Sequence, residues 1–257
     1  MDRLCGIVLC GFLMMMPVLQ IADAGIPGKK REYKGMPFRV LIPENYDDDQ
    51  EYPLVFCLHG AGGRGSNNAG NFYGNEAFKR LSSDDVQSSH PCIIVAPQCP
   101  NGSKWVDLPW NNGSYEFKDV PITESMKKAL SIFDNVREKY SVDSERIYVA
   151  GQSMGGYGTW YAAACRPDLF AAAVPVAGAG PPGQAEEMKD IALWVFHGAK
   201  DPTVPVEGAR DMVKACRKAG ADIKYTEFPD TKHFSWGPAW NEKDDELIPW
   251  LFSQQRK

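Results

Sequence analysis

YVAGQSMGGYGTW, Tyr148 to Trp160, holds one serine and four glycines directly behind an apolar lead-in. Within it, Gly151-Gln152-Ser153-Met154-Gly155 reads G-x-S-x-G. Five residues of that pattern arise often by chance, so the flanks carry the argument. "RIYVAG" reads as a strand, and 154–165 reads as a helix closed by "RPDLF". A serine on such a strand-to-helix turn is held in a strained backbone conformation. Side chains two residues to either side would crowd it, so glycine is needed there. A phosphate loop would need G-x-G-x-x-G or a Walker pattern, and this stretch has neither. Ser153 therefore reads as a nucleophile rather than as part of a plain bend.

A serine hydroxyl needs a base. The chain has four histidines: His59, His90, His197 and His233. His59 and His197 each precede glycine at the end of an apolar run, which suits a structural hydrogen bond. His90 precedes a strand, at the opposite end of the sheet. Only His233 falls in a loop after the last expected strand, on the carboxyl side, where ligand and catalytic groups gather in open α/β sheets. A carboxylate after the preceding strand should orient the imidazole, and "FHGAKDPTVP" supplies Asp201 there. Asp230, three residues before His233, is the weaker candidate. Negative charge developing on a carbonyl oxygen needs backbone N–H donors already in place. The positions that fit are Met154, after the serine, and Ala61, in the glycine-rich loop after "LHG".

The remaining elements support an α/β architecture. Residues 25–34 read as a polar arm and "PFRVLIP" (37–43) as an edge strand. "YPLVFCLHG" (52–60), "CIIVAPQ" (92–98), "AAAVPVAG" (171–178) and "IALWVFHG" (191–198) are apolar runs, as strands buried on both faces would be. "DIKYTEFP" (222–229) is a further strand, and "GAGGRGSNNAGNFYGN" is a glycine- and asparagine-rich loop. Met126, Leu130, Phe133, Val136 and Tyr140 recur at helical spacing over 123–140, with Thr123 as N-cap. Helices at about 206–219 and 244–255 fill the gaps. Strands alternating with helices predict a mostly parallel sheet with helices on both faces. No repeat, low-complexity tract or linker divides the chain, so 25–257 reads as one catalytic domain.

Residues 1–24 read as a cleavable signal peptide: Arg3, then an apolar core, then small residues at Ala22 and Ala24. A membrane anchor is the alternative. The core is short for a span and Pro17 interrupts it. Export implies a secreted or periplasmic location. Five cysteines lie beyond the leader, and an odd count leaves at least one thiol unpaired or paired between chains. Cys92 and Cys99 flank an extended run that would hold them roughly 20 Å apart, too far for a disulfide unless the chain doubles back. Net charge is −5 with scattered cations, which gives no footprint for nucleic acid. No Cys/His spacing suits a metal, and neither a metal nor another cofactor is expected.

"LHGAGGRGSNN", "AGQSMGGYGTW", "HGAKDPTVP" and "TKHFSWGPAWNEKDDELIPWLFSQ" together resemble the secreted α/β-hydrolases of peptidase or carboxylesterase type. These are relatives of dienelactone hydrolases, feruloyl esterases and polyhydroxybutyrate depolymerases. The resemblance runs from about residue 36 to the C-terminus, and the ending is its most specific part. It implies the α/β-hydrolase fold, Ser153, Asp201 and His233 as catalytic residues, and Ala61 and Met154 as oxyanion donors. Two departures matter. Gly63 stands where the family often has Glu, and position 153 is serine where a dienelactone hydrolase would have cysteine.

The segment "AGAGPPGQAEEMKD" between two strands is short, so no large lid domain is expected. Aromatic residues in loops facing the site, Trp105, Trp110, Tyr115, Trp236 and Trp240, together with Tyr157, are candidates to stack on a sugar or aromatic acyl group. For Trp236 and Trp240 the alternative is packing within the C-terminal loop. The expected substrate is a small or carbohydrate-linked ester of acetyl or feruloyl type. Two alternatives stand beside this: a serine peptidase on the same fold, and a non-catalytic binding member.

Overall fold

A computed structural model describes residues 25–241 and 246–257. The leader expected over 1–24 lies outside the described residues. Eight strands form one sheet: β1 Lys29–Tyr33, β2 Met36–Leu41, β3 Tyr52–Leu58, β4 Ile93–Pro97, β5 Val142–Gln152, β6 Ala172–Val176, β7 Ala192–Gly198 and β8 Ile223–Phe228. Their spatial order is β1-β2-β4-β3-β5-β6-β7-β8. β1 and β2 are antiparallel, as are β2 and β4; every other pair is parallel. The helices are α1 Gly70–Tyr73, α2 Glu76–Leu81, α3 Asp84–Ser89, α4 Glu124–Lys139, α5 Met154–Cys165, α6 Val206–Lys218, α7 Trp236–Ala239 and α8 Leu247–Phe252. This is the α/β-hydrolase arrangement that the resemblance implied.

The apolar runs are explained by burial on both faces. Successive strand residues point to opposite sides. Leu54, Phe56 and Leu58 of β3 join a core with Phe133 of α4, Trp160 of α5 and Met212 of α6. Val55 and Cys57, between them, join the other core with Phe78 of α2 and Leu251 of α8. Thr123 caps α4 as expected, its Oγ1 accepting the Met126 N–H at 3.0 Å. Between β6 and β7 there is only one 3-10 turn, Pro182–Gln184, and no lid. Among the described residues no helix is long and apolar enough to cross a membrane.

Two expectations at the start of the chain need correction. The polar arm contains strand β1, and 37–43 is not an edge strand, because β1 pairs along its outer side. Lys34 and Gly35 both have positive φ, at 47° and 76°, which is the turn geometry that lets two twisted strands fold back on each other. The charges of "KKREY" belong to an edge strand that discourages pairing with other chains. The glycine-rich loop is also more ordered than its composition suggests. It contains a 3-10 turn at Ala61–Gly63 and the one-turn helix α1.

All five cysteines among the described residues are unpaired. Burial pushes the thiols of Cys92 and Cys216 up to about 12 and that of Cys99 up to about 11. They act as small packing residues, not nucleophiles.

Candidate active site

Ser153 sits between β5 and α5 with φ 54° and ψ −117°. A non-glycine residue held there stores about 1–3 kcal/mol of strain, which the surroundings must over-determine. They do so by close packing. Its N–H donates to Val176 O at 2.9 Å, and its carbonyl accepts the Tyr157 N–H at 3.0 Å. A Cβ on Gly155 would overlap the Leu58 carbonyl, so the first turn of α5 lies directly against β3. Every residue of α5 up to Ala164 is buried, which explains why it reads as apolar all round.

The Ser153 hydroxyl projects to His233, with Oγ 2.9 Å from Nε2. His233 Nδ1 lies 2.7 Å from Asp201 Oδ2. The other carboxylate oxygen, Oδ1, accepts the N–H groups of Thr203 at 2.8 Å and Val204 at 3.0 Å. Burial would raise the Asp201 carboxyl, but hydrogen bonds from His197, His233, Val204 and Thr203 outweigh it and hold the group well below the usual carboxylate range. The loops after β7 and β8 are joined by Lys200 N–H to Thr231 O at 3.0 Å. Gly198 makes that possible, since a Cβ there would overlap the Thr231 and Lys232 carbonyls. Asp230 instead pairs with Lys200 at the surface, at 2.7 Å.

Ala61 opens the 3-10 turn after β3, and Met154 opens α5. First-turn N–H groups have no carbonyl partner within their own helix. Those of Met154 and Ala61 make no hydrogen bond among the described residues. The glycines around Ala61, Gly60 to Gly65, happen to fit G-x-G-x-x-G, but they open only a three-residue turn rather than a dinucleotide-binding helix.

His59 fixes this loop from within. Its Nε2 accepts the Cys99 N–H at 3.0 Å, so its proton sits on Nδ1 and is donated to Gly60 O at 2.6 Å. Burial lowers its pKa from 6.5 to about 4, the Gly60 hydrogen bond partly opposing and Arg64 assisting. The unfolded chain therefore takes up a proton near pH 6.5 that the folded chain refuses until about pH 4. Stability due to this group is complete above pH 6.5 and falls as pH drops towards 4, by about 3 kcal/mol in all. In urea unfolding, wild type should lose about 3 kcal/mol more than His59→Gln between pH 7 and pH 4. Equal losses would contradict this role.

Several expected substrate contacts need correction. Trp105 is fully buried, with its indole N–H donated to the His59 carbonyl at 3.0 Å. It backs the loop carrying Ala61 and faces no substrate. Tyr157 is also buried, its hydroxyl donated to Trp110 O at 2.9 Å. Tyr115 and Trp240 are buried as well. Trp110 is half-buried beneath Lys104, whose Nζ is 4.9 Å from the ring centre. Trp236 is 9% exposed and stands edge-on to His233, centroids 5.1 Å apart. His90 stacks on Phe252, away from the site.

Two aromatic residues escaped the sequence reading. Phe234 follows His233 directly, is 65% exposed, and packs on Trp236 with centroids 4.5 Å apart. Tyr73 is 62% exposed, at the end of α1, where Gly70 and the capping Gly74 pack against Gly63. A large apolar side chain left in water beside a reactive group, as Phe234 is beside His233, is an available signal, but only once burial is known.

Residues 32–246 match the Esterase family model. The chain is 28% identical over 222 residues to "Probable feruloyl esterase C" of Aspergillus terreus, covering 82% of this chain and 73% of that protein. It is 24% identical over 220 residues to the bifunctional acetylxylan esterase/xylanase of Neocallimastix patriciarum, covering 82% of this chain and 29% of that protein. Among solved structures, a thermostable esterase superposes with a TM-score of 0.78 at 36% identity, covering 88% of this chain and 62% of that one. The chain thus spans less than two thirds of the latter two.

Proposed function

The chain belongs to the Esterase family and hydrolyses ester bonds, and from that premise we propose that it is a serine carboxylesterase working through an acyl-enzyme on Ser153. The observation that carries this is the hydrogen bond of 2.9 Å between Ser153 Oγ and His233 Nε2 at a residue of positive φ. Ser153 Oγ attacks the ester carbonyl while its proton passes to His233 Nε2. Asp201 keeps the other ring proton on Nδ1 and stabilises the imidazolium. The carbonyl oxygen becomes an oxyanion that accepts from the Ala61 and Met154 N–H groups, with the N-terminal end of α5 favouring its charge. His233 then protonates the departing alcohol. Water, deprotonated by the same nitrogen, releases the acid and restores Ser153.

The proposed substrate class is supported by the short connection between β6 and β7, the exposed rings and the feruloyl and acetylxylan esterase relatives. Phenolic or acetyl esters carried on polysaccharide fit it. Phe234, beside the base and mostly in water, is placed to meet a phenolic acyl ring. Phe234→Ala should raise KM for methyl ferulate about 3- to 10-fold and leave kcat within about twofold, the loss of one aromatic contact. An unchanged KM would remove Phe234 from the acyl site. Residues 1–24 act as the leader that exports the enzyme, and amino-terminal sequencing of the exported chain should begin at Gly25.

The purified chain is assayed on p-nitrophenyl acetate, methyl ferulate and acetylated xylan, with aminoacyl nitroanilides in parallel. Ester turnover exceeding amide turnover is expected. Faster cleavage of the amides would favour a peptidase, and no turnover of any of them would favour a binding member of the fold.

A further inference from the structure

His197 is the second-last residue of β7 and is fully buried. Its Nε2 lies 3.1 Å from Val204 O and 3.3 Å from Asp201 Oδ2. Its Nδ1 is buried without a hydrogen-bond partner among the described residues. Two acceptors face one ring nitrogen and none faces the other, so the proton belongs on Nε2. That N–H is shared between the carbonyl and the carboxylate.

Asp201 is thereby held at both oxygens. Oδ1 accepts two backbone N–H groups, and Oδ2 faces His233 on one side and His197 on the other. Val204 closes the ring, since its N–H binds Asp201 Oδ1 while its carbonyl accepts from His197. The turn from 201 to 204 is thus tied to β7 through one imidazole. A buried histidine with a satisfied ring would be an ordinary core residue. This one leaves a buried nitrogen without a partner among the described residues and spends its donor on the carboxylate turn.

We propose that His197 is a positioning residue of the esterase: it holds the Asp201 carboxylate so that Oδ2 faces His233 Nδ1. It touches neither Ser153 nor His233 by any hydrogen bond among the described residues, so it acts through Asp201. The inference rests on the reading of Ser153, His233 and Asp201 given above. A reacting group misplaced by about 1 Å can lose 10²-fold in rate, which sets the scale.

The test is a double-mutant cycle read by the rate at which a fluorophosphonate labels Ser153, and by kcat and KM on p-nitrophenyl acetate. His197→Leu should lower the labelling rate and kcat about 10- to 100-fold per titrated active site, with KM within about twofold. His197→Gln, whose amide nitrogen reaches the place of Nε2, should recover to within about fivefold of wild type. In an Asp201→Asn background, His197→Leu should lower the residual rate by less than about twofold further. Multiplying losses, or a rate per titrated site equal to wild type, would overturn the proposal and return His197 to the core. Should the leucine chain not accumulate folded, His197→Asn, whose shorter amide falls short of both acceptors, takes its place in the cycle. Full labelling or activity of Ser153→Ala would be a different result, overturning the reading of the site itself.

Discussion

Ser153→Ala should lower kcat on p-nitrophenyl acetate by about 10⁵- to 10⁶-fold, the scale seen when a serine nucleophile is removed from an acyl-transfer site. The substitution deletes one oxygen and keeps the backbone. Alanine meets the same φ of 54° with the same Cβ, so the strain and the packing of α5 are unchanged. The Ala61 and Met154 N–H groups also remain, and with binding alone they should leave a residual rate about 10³-fold over water. A thermal melt close to wild type is therefore expected beside the lost activity. Retention of a tenth or more of wild-type kcat would mean that the hydroxyl is not the attacking group.

Asp201→Asn should cost about 10⁴-fold in kcat with KM little changed. The size comes from the tautomer rather than from lost contacts. Asp201 Oδ2 accepts from His233 Nδ1 at 2.7 Å, which leaves Nε2 unprotonated and able to take the Ser153 proton. An asparagine that turns its amide nitrogen towards Nδ1 makes that atom the acceptor and puts the proton on Nε2. The base is then facing the serine with its lone pair gone. The carboxylate is held well below the usual range, burial being outweighed by donors from two histidines and two backbone groups, so mild acid does not reproduce the effect. Asp230→Asn is the control. Its side chain is 88% exposed and pairs with Lys200, so its variant should stay within about twofold of wild type. Equal damage from the two substitutions would mean that the wrong carboxylate has been assigned.

The residues at the carboxyl edge of the sheet were legible because chain order maps onto strand order there. Ser153 follows β5, Asp201 follows β7 and His233 follows β8, and each lies in the short loop where the chain leaves the sheet. The core strands were legible because burial on both faces forces unbroken apolar runs, as in β3 and β7. β1 was not, because an edge strand needs few apolar residues and "KKREY" has the composition of a solvated arm. Nor was the depth of Trp105. Local sequence places it in a loop near the site, but the loop folds inward so that the indole N–H reaches His59 O, 46 residues away. Tyr157 is similar: its position one turn into α5 is readable, but α5 proves to be buried on every side. The glycine after His197 suits a structural hydrogen bond, but nothing in the sequence marks Asp201 as its partner.

The most direct measurement is peptide mapping by mass spectrometry of the chain labelled to completion with a fluorophosphonate. The adduct should lie on Ser153 alone, with a stoichiometry of one, and should vanish in Ser153→Ala. An adduct on any other residue, or labelling that survives Ser153→Ala, would contradict the assignment of Ser153 as the nucleophile that His233 and Asp201 activate.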